Sequence, residues 1–257
     1  MNNIIAIAHK ELRTYFTSPI AYVIVGLYAL LFGYFFVAFL DQFVRFSMQM
    51  GQFGAGGPAS VNVNELLIRP LLGNTTVLLL LVLPLITMRT YAEEKRSGTM
   101  EFLLTSPLTG FQIIMGKFLG AMALYALMLA VTLIDIAMLF VYGDPEWQPI
   151  ATGYLGLLLM GGSFISIGLL VSSMTRNQIV AGMLTFALIL MLYIISWMRE
   201  SVGPTGQIIL SYLSVLEHFD DFSKGIIDTS HLVYYASFIT LGLFLTAKSV
   251  DSERWKG

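Results

Sequence analysis

Cysteine is absent from the 257-residue chain, which removes disulfide frameworks, thiolate metal sites and cysteine nucleophiles together. Charge is scarce too: Asp, Glu, Lys and Arg make up 12% of the residues, against about 25% in an average globular domain. A chain so poor in charge and 56% hydrophobic cannot coat a water-facing surface. Its mean hydropathy of +0.77 points to apolar side chains that meet lipid or one another in a bilayer. Neither sign of charge dominates, with 14 basic and 16 acidic residues, so there is no electrostatic footprint for nucleic acid. The composition argues against a soluble enzyme, a disordered tail and a nucleic-acid binder. No repeat of fixed period is evident, and the one flexible-looking stretch is Gly-rich, residues 51–60.

What the sequence does contain is apolar residues in span-sized runs. Six stretches qualify as membrane-crossing helices: residues 21–40, 71–88, 118–141, 153–174, 179–197 and 232–247. They predict an all-α polytopic protein, with residues 1–257 as one transmembrane domain. Pro84 is expected to bend the second span. The sixth is short, and Lys248 can snorkel to the headgroups while Ser249 and Val250 complete the crossing.

Positive residues are retained on the cytoplasmic side of a membrane. The two termini, the second loop and the fourth loop carry ten Lys and Arg, and the remaining loops carry four: Arg45, Arg69, Arg199 and Lys224. This asymmetry places both termini and the second loop in the cytoplasm, and Asp144, Glu146, Glu217, Asp220, Asp221 and Asp228 outside. No A-x-A cleavage site follows the first span, so the N-terminal segment is expected to stay attached. In that segment Ile4, Ile5, Ala8, Leu12, Tyr15 and Phe16 share one helical face opposite His9, Lys10 and Arg13, until Ser18-Pro19 stops the helix. Such a helix lies in the cytoplasmic interface, either as an anchor or with a part in gating.

The second loop is the most informative segment. Gly98 interrupts a charged helix end, and residues 99–105 can form about two helical turns carrying Met100, Leu103 and Leu104. Ser106-Pro107 ends that helix, and the spacing of Thr109 and Gln112 predicts a capping box for the next. A short apolar-faced helix between charged arms needs a cover, either the membrane face or a groove on a partner protein.

Glu93-Glu94-Lys95-Arg96-Ser97-Gly98-Thr99-Met100-Glu101-Phe102-Leu103-Leu104-Thr105-Ser106-Pro107, followed by Gly116-Lys117, closely resembles the signature of ABC type-2 membrane permeases. The likeness resumes at Gly168-Leu169-Leu170-Val171-Ser172-Ser173-Met174-Thr175-Arg176-Asn177-Gln178-Ile179-Val180-Ala181. It resumes again at Phe222-Ser223-Lys224-Gly225-Ile226-Ile227-Asp228, and covers nearly the whole chain in the manner of the gliding-motility-type subfamily. The resemblance implies that the loop is a coupling helix docked on a separate ATP-binding subunit. It assigns coupling to Glu93, Glu94, Arg96, Gly98, Thr99, Met100, Glu101, Leu103, Leu104, Thr105 and Pro107. It also implies a permease, with the features of an exporter, in a bacterial cytoplasmic (inner) membrane. ATP and Mg are then held on the partner, and no cofactor on this chain. Further implied partners are a second permease half, identical or related, and an auxiliary subunit with a large extracytoplasmic part. Short re-entrant or interfacial helices are implied near residues 208–228.

Other constellations have competing readings. Gly110 and Gly116-Lys117 faintly match a phosphate loop, but five residues separate the glycines where four are required, and Phe118 replaces the Ser or Thr. Gly161-Gly162-Ser163-Phe164-Ile165 begins like a nucleophile elbow, yet Ile165 takes the final Gly position and no His lies within a span, which argues against an intramembrane hydrolase. Gly161, Gly162, Ser166 and Gly168, and the spaced pair Gly116 and Gly120, instead fit close helix contacts. Asp135 is the only ionisable residue well inside a span, either on a substrate path or gate or hydrogen-bonded to a neighbouring helix. Glu217, His218, Asp220 and Asp221 fit a metal site or, more simply, a solvated acidic turn. A membrane scaffold or force-transmitting component without transport is the remaining alternative function.

Overall fold

The computed structural model describes residues 2–52, 62–105, 107–198 and 203–254. Most of the Gly-rich stretch, Ser106 and Arg199 lie outside the described residues. Helix accounts for 89% of the structure, and there is no strand among the described residues. An N-terminal helix α1 (Asn2–Thr17) leads into α2 (Pro19–Gln52), and a π-helical turn (Asn64–Ile68) runs into α3 (Arg69–Thr87). Two short helices follow, α4 (Ala92–Ser97) and α5 (Met100–Thr105). Then come α6 (Gly110–Tyr142), α7 (Trp147–Met174) and α8 (Gln178–Met198). Two more short helices, α9 (Pro204–Leu213) and α10 (Val215–Ser223), precede α11 (Thr229–Arg254).

Six of these helical segments are long and apolar enough to cross a membrane. The chain is a multi-pass membrane protein. Each span contains its expected stretch and runs past it at one or both ends. The sixth, expected to be short, is 26 residues long. Pro84 lies inside α3, which ends three residues later at Thr87.

In lipid, water expulsion does not drive helices together, so close backbone approach and van der Waals contact must. That requirement explains α7, whose most apolar stretch is the most buried of the six. Its glycines receive four side chains from three neighbouring helices: Leu72 at Gly153 and Thr87 at Gly168 from α3, Phe222 at Gly156 from α10, and Tyr125 at Gly161 from α6. Its serines turn their hydroxyls back on the helix, Ser163 to the Leu159 carbonyl and Ser166 to the Ser163 carbonyl. A helix of small residues thus becomes the post around which the others pack. By contrast α2 buries only one stripe, Ala21, Ile24, Tyr28, Phe32 and Phe36, and exposes Tyr22, Leu30 and Tyr34 opposite, as a helix at the lipid boundary does.

The bundle sorts its ends. At one, called the loop end below, α1, the segment from Arg89 to Thr109, the α7–α8 junction and the C-terminus of α11 meet. At the other, the cap end, α10 and the N-termini of α3, α7 and α11 meet, through contacts such as Asn64 Nδ2 to the Glu146 carbonyl and Thr152 Oγ1 to the Phe222 carbonyl. The same two groups of segments separate in the count of Lys and Arg.

Candidate functional site

The loop end is built on a turn that only glycine adopts without strain. Gly98 has φ of 73°, the left-handed region, and so reverses the chain between α4 and α5. The next turn is fixed by a capping box: Thr109 Oγ1 accepts from the Gln112 amide (3.3 Å), and the Gln112 side chain accepts from the Thr109 amide (3.2 Å). These two devices hold α5 as a separate short helix between the charged arm of α4 and the span α6.

Beneath it lies an ion cluster centred on Lys117. This side chain is 1% exposed and belongs to the first turns of α6. Its ammonium donates to Glu94 Oε1 of α4 (2.8 Å), to the Thr90 carbonyl (2.9 Å) and to Glu11 Oε1 of α1 (3.1 Å), and lies 5.0 Å from the Tyr91 ring centroid. A buried lysine is tolerated only when its charge is paired and its N–H groups are used, and here three acceptors do both. Tyr15 adds a fourth tie, donating to the Ile86 carbonyl (3.2 Å), and burial pushes its phenol well above the ordinary value.

Helix α1 reaches this cluster because α6 is notched. A Cβ at Gly116 would sit 2.5 Å from Ile7 and 3.2 Å from the Ile4 carbonyl, and one at Gly120 would sit 2.7 Å from Glu11. The Gly116 and Gly120 spacing is therefore the seat of α1. The buried stripe of α1 also differs from the apolar face expected: Ile7 and Glu11 are inside, and Ile5 is 61% exposed. Glu11 is not among the residues of that face; its pairing with Lys117 is what allows a carboxylate inside.

Two further contacts fasten the loop. Ser172 Oγ of α7 accepts from the amides of Tyr91 (3.0 Å) and Ala92 (3.1 Å), which satisfies donors at the start of α4, and donates to the Met88 carbonyl (3.1 Å). Lys95 pairs with Glu253 of α11 at 2.9 Å. The loop is thus tied to α1, α6, α7 and α11.

The residues assigned to coupling fall into two groups. Glu94 and Met100 face inward, Met100 at 5% exposure. Glu93, paired with Arg89 at 3.1 Å, faces outward with Arg96, Gly98, Thr99, Glu101 and Pro107. Phe102, at 78% exposure, is the large apolar side chain that α5 presents. The side chains of Leu103, Leu104 and Thr105 lie outside the described residues. Sequence reasoning missed Lys117, Glu11, Ser172 and Lys95. The available signal was a lysine between Gly116 and Phe118, where an apolar helix begins and a lone cation demands a partner.

The cap end carries a second charged group. Asp220 accepts from Arg69 and Lys224, both at 2.6 Å, and Asp221 from His231 at 2.9 Å and Lys224 at 3.3 Å. His218 stacks on Tyr234 with ring centroids 3.8 Å apart, its Nδ1 2.7 Å from the Ser214 carbonyl. Burial, and secondarily His231, pulls the His218 imidazole below its ordinary value. Burial works against ionisation of Asp220, yet the hydrogen bonds from Lys224 and Arg69 hold it below the usual carboxylate range. No group of three metal-ligating side chains exists among the described residues. The acidic turn is an amphipathic helix in which Asp220 and Asp221 are ion-paired.

Asp135 is partly exposed on α6, within electrostatic reach of Tyr154, whose hydroxyl lies 2.8 Å from Thr132 Oγ1. Ser163 is fully buried with its hydroxyl on the Leu159 carbonyl, so it is placed as a packing residue, not as a nucleophile. Lys117, sealed among carboxylates, is equally unavailable to a nucleotide phosphate.

The family model of the ABC-2 family transporter proteins matches residues 5–246. The chain belongs to this family. Two curated relatives, the probable multidrug ABC transporter permeases YbhR of Escherichia coli K12 and of Escherichia coli O157:H7, are each 28% identical over 144 residues. The match covers 55% of this chain and 39% of each relative, so it spans about two fifths of their length. The chain is thus a multi-pass member of the ABC-2 family of transporter proteins.

Proposed function

We propose that this ABC-2 chain is the permease of an ATP-driven exporter in a bacterial cytoplasmic membrane, with both termini and the loop end in the cytoplasm. Residues 1–257 act as one transmembrane domain. ATP and Mg bind to a separate subunit that docks on α5, and residues 93–107 pass its movement into the bundle. A second permease half, a copy or a related chain, completes the path. An auxiliary subunit on the cap side and membership of the gliding-motility-type subfamily complete the proposal. The multidrug name of the YbhR relatives makes drugs the first cargo class to try.

The observation that carries this reading is the Lys117 cluster. A loop that merely rested on lipid would not need a fully buried cation joining it to two other helices. A loop that receives force does, because rigid ties convert displacement of α5 into displacement of α1 and α6. The outward Phe102 supplies an apolar anchor of the kind that dominates docking energies.

The test is a pull-down of the ATP-binding subunit with Leu103→Asp/Leu104→Asp. The charges would have to be buried against the partner at about 2 kcal/mol or more, so the ATPase is lost while the permease still inserts. Normal recovery of the ATPase would refute the docking assignment. Asp135 is proposed as a path residue: Asp135→Asn, which keeps shape and hydrogen-bonding capacity, should assemble yet lose most cargo-stimulated ATP turnover. Unchanged stimulation between pH 5.5 and 8.5 would reduce Asp135 to a packing group.

A further inference from the structure

Near the middle of the bundle one hydroxyl is left unpaired. Tyr28 of α2 is 0% exposed, and its Oη is buried without a hydrogen-bond partner. It stands nine residues beyond Pro19, about 14 Å along the helix, close to the centre of a hydrocarbon core roughly 30 Å thick. Bulk water does not reach that depth, so an unmet polar group there is costly. Two other tyrosine hydroxyls lie within electrostatic reach of Tyr28: Tyr154 of α7, and Tyr125 of α6, itself 0% exposed. Three helices thus turn a hydroxyl into one seam.

The hydrogens in this seam do not balance. Thr132 Oγ1 donates to the Leu129 carbonyl (2.7 Å), so in its 2.8 Å contact with Tyr154 it must accept, and Tyr154 is the donor. Tyr125 donates to the Leu157 carbonyl (2.7 Å). Both tyrosines have therefore spent their one hydrogen and keep an oxygen that can only accept. Tyr28 keeps its hydrogen and lacks an acceptor. Leu157 is three residues beyond Tyr154, about 4.5 Å along α7, which sets the two spent oxygens on neighbouring levels. What completes the set must accept one hydrogen, donate two, and fit between side chains sealed from solvent. A metal ion cannot accept, a halide cannot donate, and a lipid or drug is too large. Water meets all three conditions, with the two to four polar partners that a buried water needs.

We propose that ordered water occupies this seam, accepting from Tyr28 and donating to Tyr154 and Tyr125. Thr132 is three residues before Asp135 on α6, and Asp135 is within electrostatic reach of Tyr154. The water therefore carries hydration inward from the carboxylate that lies well inside a span. The assignment rests on the tyrosines alone and holds whatever the chain carries.

The experiment is X-ray hydroxyl-radical footprinting of the purified chain in lipid nanodiscs, in which bound water generates the radical where it sits. Tyr28 should be oxidised although it is sealed from bulk solvent; Phe164, 1% exposed and without a hydroxyl to hydrate, should not, and the exposed Tyr212 reports the dose. The second measurement is the melting temperature of Tyr28→Phe. Loss of a water-bridged hydrogen bond should lower it by about 2–4 °C, whereas removal of a dry, unmet hydroxyl should raise it. Absence of label at Tyr28, or a melting temperature that is unchanged or higher in Tyr28→Phe, would overturn the proposal. If Tyr28→Phe does not fold, labelling of the unaltered chain decides alone.

Discussion

The loop end and the cap end are both held by charge, but in opposite ways. At the loop end one lysine, 1% exposed, serves a carboxylate of α1 and a carboxylate and a carbonyl of the loop. At the cap end Arg69, Asp220 and Lys224 are each more than a third exposed, and the ion pairs of Asp220 have water as an alternative. Burial makes the first cluster all-or-nothing, since removing one partner strands charge in a low-dielectric site. Exposure makes the second adjustable. Under the proposed function, the stiff end is the one that receives the ATPase and the adjustable end the one that faces the exit.

The largest expected effect follows from breaking the stiff end. Lys117→Met leaves Glu11 and Glu94 with only the exposed ammonium of Lys10, 3.5 and 3.7 Å away, and should lower stability by about 3 kcal/mol. Thermal unfolding in detergent checks this, and Lys117→Met/Glu11→Gln/Glu94→Gln should recover much of the loss if stranded charge is the cause. Next is packing around α7. A Cβ at Gly168 runs into the Oγ1 and Cβ of Thr87, a branched side chain with no room to turn, whereas one at Gly153 meets the tip of Leu72. Gly168→Ala should therefore cost about 1–3 kcal/mol and Gly153→Ala clearly less. Comparable losses at both positions would remove the distinction between the ends.

Smaller still is the loss of Arg69 at the cap. Arg69→Gln should change stability by less than about 1 kcal/mol, because its pair with Asp220 is half in water. The smallest effect is a pH dependence. His218 has a folded-state pKa below its ordinary 6.5, so its contribution is complete above that pH and fades as pH falls from 6.5 towards the lowered value. Asp220, held below 3.8, loses its contribution only at more acid pH. Unfolding followed from pH 7.5 to 5 should show a small acid loss that His218→Gln abolishes; a loss of equal size in that variant would assign it elsewhere.

Much of the fold could be read from the sequence, because lipid imposes one simple rule, an apolar run long enough to cross, and all six runs obey it. The Thr109 and Gln112 capping box was legible for the same reason, being local. The Gly116 and Gly120 notch was legible as a contact, but its occupant was not, since α1 is more than a hundred residues away. The Lys117 cluster was hidden by charge itself: Lys117 counted as a cytoplasmic positive residue and Glu11 fell outside the apolar face of α1. Only three-dimensional pairing shows that both are interior. Ser172 lay in the right motif, but nothing in its neighbours reveals that it caps a helix some 80 residues earlier. At the cap, spacing brought His218 and Asp221 into one candidate site; Arg69, from the start of α3, is the distant cation that sequence proximity could not supply.

The central claim is that the end stiffened by Lys117 is where the ATP-binding subunit docks. It is tested most directly by placing a photo-crosslinking phenylalanine at Phe102, the exposed side chain of α5, and separately at Tyr142, which is 88% exposed at the far end of α6. The chain is produced with its ATP-binding subunit and irradiated in intact cells. The account predicts that position 102 captures the ATPase and position 142 does not. Capture from position 142, or no capture from position 102 while the ATPase still co-purifies, would contradict it.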